Sequence, residues 1–84
     1  MEPINLQIEF LDESEPVKVK AIAADLIAFE ARFDLSVSKL GSDVRLTHMF
    51  FLGWHACKRS KLTELEFEPW TETVSMVREA EVKK

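Results

Sequence analysis

Apolar and polar residues alternate strictly at the start of the chain, where Ile4, Leu6, Ile8 and Phe10 are separated by Asn5, Gln7 and Glu9. A two-residue period marks a strand with one covered face. Val17 and Val19 repeat the pattern against Lys18 and Lys20, and the polar run Asp12 to Pro16 between them reads as a turn. Residues 4–21 therefore predict a β-hairpin, which needs a helix over its apolar face because an isolated hairpin is marginal in water. The period then changes. Leu26, Phe29 and Phe33 follow helical spacing, with Asp25 in the first turn where the helix dipole favours a carboxylate, so a helix is expected over about 24–34.

Asp34 to Gly41 breaks the pattern, and Ser42 or Asp43 can cap a second helix over about 43–60 that ends on Lys58 and Arg59. Pro69 suits the first position of a third helix, expected over about 69–79 with Trp70, Val74 and Val77 as its stripe, before a frayed charged tail. The predicted architecture is α+β: a single domain, residues 1–84, with an N-terminal hairpin packed on three helices in the order ββααα.

The second helix is unusually apolar. Leu46, Met49, Phe50, Gly53 and Cys57 make one stripe, flanked by Trp54 and Ala56, while Val44, Phe51 and Leu52 lie outside it near His48, His55 and Arg59. Two accounts are open: the helix is central and covered on all sides, or part of its surface is buried by a partner. Taking the second as the working expectation gives Val44, Phe51 and Leu52, with Trp54 and Trp70 at the edge, as candidate protein-interaction residues.

Composition narrows the functional classes. At 84 residues, 46% hydrophobic and 31% charged, the chain has room for one core and is too apolar to be disordered. Its single cysteine, Cys57, allows no internal disulfide, and the N-terminal residues lack a secretory signal pattern. With no apolar run of membrane-spanning length either, a cytoplasmic, non-secreted protein is expected. A net charge of −4 argues against general nucleic-acid binding. The charge is blocked, however: Met1 to Pro16 holds five acids and no base, whereas Lys39 to Lys61 holds five bases against Asp43, a pattern that suits head-to-tail self-association.

Chemistry is harder to find. His48 and His55 share a helix face but are two turns, about 10 Å, apart, too far to ligate one zinc, and Cys57 points to the opposite side. His55 and Cys57, two residues apart on a helix, do not face each other as a base–nucleophile pair must. Glu64, Glu66, Glu68 and Glu72 read as a solvated loop and helix start. With Gly41 and Gly53 as the chain's glycines there is no phosphate loop or nucleophile elbow. The expectation is a non-enzymatic protein with no metal, cofactor or small-molecule substrate.

Three runs carry a family resemblance: LIAFEARFDLSVSKL (Leu26 to Leu40), RLTHMFFLGWHACKRSK (Arg45 to Lys61) and FEPWTETVSMV (Phe67 to Val77). In their order and spacing after a hairpin, they resemble the small tail-assembly chaperones of siphophages that infect actinobacteria. That resemblance implies a protein of the host cytoplasm that coats the phage tape-measure protein, keeps it soluble until tail-tube subunits polymerise around it, and oligomerises. It also implies production in two lengths by translational frameshifting, of which this chain would be the shorter. A structural virion component, such as a head-to-tail connector or tail protein, is the alternative.

Overall fold

The two alternating runs pair antiparallel, Leu6 opposite Val19 and Ile8 opposite Val17. The computed structural model describes residues 4–34 and 45–80. Within them lie β1 (Ile4–Phe10), β2 (Val17–Ala21), α1 (Ala23–Phe33), α2 (Leu46–Arg59), α3 (Phe67–Thr71) and β3 (Val74–Glu79). The fold is α+β, but the order is ββαααβ rather than ββααα, because the expected third helix is one short turn followed by a strand. β3 returns to pair antiparallel with β1, so the hairpin grows into a three-stranded sheet of order β2-β1-β3.

The helix-like spacing in β3 has a structural cause. Val74 and Val77 are three apart, a helical spacing, and in a regular strand they would point to opposite faces. Here Phe10 lies opposite Val74 while the adjacent Glu9 lies opposite Met76, which leaves Ser75 as an extra residue in β3. Such a bulge shifts the side-chain phase by one, so both valines turn inward and are buried. Pro69 does sit in the first turn of α3, two residues later than expected, and the first bond of that turn runs from the Trp70 N–H to the Glu66 carbonyl.

α2 lies across the sheet and beside α1, with α3 against its other flank, and is the central helix of the molecule. Its buried face is His48, Phe51, Leu52, Gly53, Ala56 and Cys57. These pack with Leu6, Ile8, Val19, Ala21, Leu26, Phe29, Trp70, Val74 and Val77 into one core. A Cβ on Gly53 would stand 3.3 Å from Val77 Cγ1 and 3.5 Å from Ile8 Cδ1, so the missing side chain is what lets the helix lie this close to the sheet. The opposite face of the sheet is polar, with the Arg78 guanidinium reaching Glu9 at 3.2 Å.

α2 begins at Leu46 with Arg45 as its cap residue; the expected caps Ser42 and Asp43 lie outside the described residues. Its end is a complete Schellman closure. The Leu62 N–H donates to the Cys57 carbonyl at 2.8 Å and the Lys61 N–H to the Lys58 carbonyl at 3.1 Å, with Lys61 left-handed at φ 62°. A side chain in that region costs roughly 1 kcal/mol that glycine avoids. Lys61→Gly is therefore expected to stabilise the chain by about 0.5–1 kcal/mol, read as a rise in urea midpoint at unchanged slope.

Candidate interaction surface and the buried Asp25 network

Asp25 opens α1, and its carboxylate begins as a cap: the Ile22 N–H donates to Oδ2 at 2.8 Å. The side chain is nevertheless fully buried, because the C-terminal end of α2 closes over it. His55 and Arg59, four apart and so on one helix face, both reach it. His55 Nδ1 lies 2.6 Å from Oδ1, while Arg59 donates from Nε to Oδ1 at 3.2 Å and from Nη2 to Oδ2 at 3.0 Å. The same guanidinium also donates to the Lys20 carbonyl at 3.0 Å, tying the end of β2 into the group. One carboxylate thus fastens α1, α2 and the sheet together.

Burial pushes the Asp25 carboxyl up, but the hydrogen bonds from Arg59, His55 and Ile22 outweigh it and hold the group below its ordinary value of 3.8. A depressed folded-state value adds stability that is present above the unfolded value and disappears as pH falls through the folded one. The urea midpoint is therefore expected to drop more steeply below about pH 4 in the wild type than in Asp25→Asn, which has no such proton to gain. Parallel acid profiles for the two proteins would show that other carboxylates set the acid limit.

Cys57 shows why this constellation is not a nucleophile site. It is buried, and burial raises its thiol to about 11, so at neutral pH it carries almost no thiolate. Native protein is expected to react with a disulfide reagent at pH 8 at least about a hundredfold more slowly than urea-unfolded protein, through openings alone. No group of three or more His, Cys, Asp or Glu side chains converges to hold a metal among the described residues.

The residues expected to form an interface fare differently from one another. Phe51, Leu52 and Trp70 are interior, at 4%, 0% and 2% exposure, so in the folded chain they present no surface to a partner. Val44 lies outside the described residues. Trp54 does reach the surface: half-buried, it donates from Nε1 to the Leu65 carbonyl at 2.9 Å and packs against Phe67 at 5.6 Å between ring centroids. The central-helix account is the right one for the face that carries Phe51 and Leu52. That face looked outward on a helical wheel because it also carries His48, His55 and Arg59. His48 is in fact edge-on to Phe29 and Phe33, at 5.0 and 4.9 Å, and His55 and Arg59 are turned to Asp25.

An apolar row that does reach the surface lies on another side of the helix. Leu46, Phe50 and Trp54, at i, i+4 and i+8, line its outer edge; Leu46 is 59% exposed. Leu46, Thr47 and Phe50 face Phe67 and Thr71 of α3 across a shallow groove of about 210 Å³. That is below the roughly 300–1,000 Å³ of small-molecule pockets and suits a few inserted side chains. Past the Phe67 ring, the surface continues into a depression bordered by Arg32, Trp54, Glu66, Glu68 and Glu72. Arg32 stands over Phe51 and Phe67, at 5.8 and 5.6 Å from the ring centroids, and Lys58 over Trp54 at 5.4 Å. Leu46, Phe50 and Phe67 are thus absent from the expected interface; the i, i+4 row of Leu46 and Phe50 belongs to the stripe expected to face the core.

No protein-family model, curated protein or solved structure matches this chain. Among the described residues, no helix is long and apolar enough to cross a membrane.

Proposed function

We propose that this chain is a non-enzymatic protein-binding module, and specifically a phage tail-assembly chaperone that holds the tape-measure protein soluble in the host cytoplasm until the tail tube forms. The observation that carries the binding reading is the apolar groove between α2 and α3, bordered by Leu46, Phe50 and Phe67, which the chain's own described residues leave open. Leaving a leucine of this kind in water forgoes roughly 1.5–3 kcal/mol of burial, a cost that contact with a partner recovers. The specific partner is supported by the ordered runs around Phe29, Trp54 and Trp70 that resemble such chaperones. A tape-measure protein is long and largely helical, so it offers the amphipathic faces that a groove of this width accepts.

Co-expression with a phage tape-measure protein tests the proposal. The expected result is that the long protein moves into the soluble fraction and copurifies with the wild-type chain. A folded, abundant chain that leaves its partner insoluble overturns the chaperone reading. Mass spectrometry of purified virions supplies the second arm. A chaperone is absent from mature particles, whereas a head-to-tail connector or tail subunit built from the same surface is present in every one.

A further inference from the structure

The groove has a direction and a charged side, and these restrict what fits it. Leu46 and Trp54 are eight residue steps apart on α2, about 12 Å at 1.5 Å per residue, which matches roughly two turns of a helix laid alongside. On the α3 side, Glu66, Glu68 and Glu72 border the surface that adjoins Phe67. Glu66 is engaged by Lys58, whereas Glu68 and Glu72 are exposed and make no ion pair among the described residues. The two cations described beside that border are already engaged: Arg32 is drawn over the Phe51 and Phe67 rings, and Lys58 sits on Glu66 and over Trp54. The surface is therefore apolar along α2 and negative along α3.

We propose that this groove takes a two-turn amphipathic helix whose apolar residues, spaced i, i+3 or i+4, and i+7, pack between Phe50 and Phe67, and whose flank over α3 carries lysine or arginine facing Glu68 and Glu72. The inference rests on the protein-binding reading and adds the chemistry of the partner. It separates partners by the sign of one flank: an acidic flank faces like charge across Glu68 and Glu72, and a basic flank is drawn in.

Two synthetic peptides of about 18 residues, sharing one leucine stripe and differing only in lysine or glutamate flanks, test it against the whole chain. Binding is read by Trp fluorescence and by NMR shifts at Phe50 and Phe67. The lysine peptide is expected to bind about tenfold more tightly at low salt, with the preference shrinking as salt rises. Glu68→Lys with Glu72→Lys brings the chain's net charge from −4 to zero, so diffuse attraction alone predicts no preference, whereas the proposal predicts that the preference inverts. Phe50→Asp is expected to weaken both peptides about tenfold or more while the far-UV circular dichroism is unchanged. Equal affinities, a preference that vanishes without inverting, indifference to Phe50→Asp, or concentration-dependent self-association that buries the groove would each overturn the proposal. These peptides measure the groove directly, so failure here is distinguishable from failure of the co-expression experiment, which measures the tape-measure assignment.

Discussion

Leu52→Ser is expected to have the largest effect on stability, a loss of about 4 kcal/mol. Leu52 is completely buried in the core that α2 shares with the sheet and α1. Truncating a leucine there costs about 2–5 kcal/mol through lost transfer energy and the residual cavity. Serine adds a hydroxyl without water, partly relieved if it donates back to the carbonyl four residues earlier. A total near 4 kcal/mol is between about a third and all of the roughly 4–13 kcal/mol expected for a domain of this length. Phe50→Ser, two residues earlier on the groove side of the helix and half-buried, is expected to cost less than about 1.5 kcal/mol and to act on binding. Urea titrations of the two proteins separate the faces: comparable midpoints would mean that the groove is as structural as the core.

Asp25→Asn is expected to have the second largest effect, about 3 kcal/mol, although it changes one atom. The amide places an N–H₂ group where Arg59 or His55 now meets a carboxylate oxygen, so a donor faces a donor in a buried position. Arg59 is one-third exposed and can turn partly to water, which keeps the loss below that of a fully enclosed pair. At roughly 4–8 °C per kcal/mol for a chain of this size, the melting temperature should fall by about 15 °C. Arg59→Lys should recover little of the fork that Arg59 makes to both carboxylate oxygens and the Lys20 carbonyl. A shift below about 3 °C in Asp25→Asn would show the network to be incidental.

The sequence made some of this legible and hid the rest for physical reasons. The hairpin, α1 and the position of α2 follow from local periodicity, which is a property of neighbouring residues: the alternation of Ile4 to Phe10 and the spacing of Leu26, Phe29 and Phe33 do not depend on the rest of the fold. β3 was hidden by its bulge at Ser75, which gave Val74 and Val77 a helical spacing. The orientation of α2 was hidden by polar residues that turn inward. His48 reads as a solvent residue until Phe29 and Phe33 are seen beside it, and its Nδ1 has no hydrogen-bond partner among the described residues. Arg59 and His55 read as a solvated helix end until Asp25, 34 and 30 residues earlier, is placed between them. The pairing of one buried acid with two bases across that separation is set by tertiary structure, and no local pattern encodes it. The groove was half legible: Trp54 was recognised as an edge residue, whereas Leu46 and Phe50 were assigned to the core because a helical wheel does not say which of two apolar rows faces the sheet.

The place of β1 also governs the order of folding. It is the first strand described and the middle one in space, and one of its two neighbours, β3, lies nearly the whole described chain away: Arg78 reaches Glu9 across 69 residues. A nascent chain emerging from the ribosome can zip β1 to β2 at once, yet the second edge of β1 stays open until β3 has been made. Pairing at such separation closes a long loop and sets the folding rate, since each non-local contact is made against chain entropy. Synthesis and folding are thereby coupled through β3: its emergence is the event that completes the sheet, seals Val77 over Gly53 and buries the core, and only then are the two sides of the groove held in register.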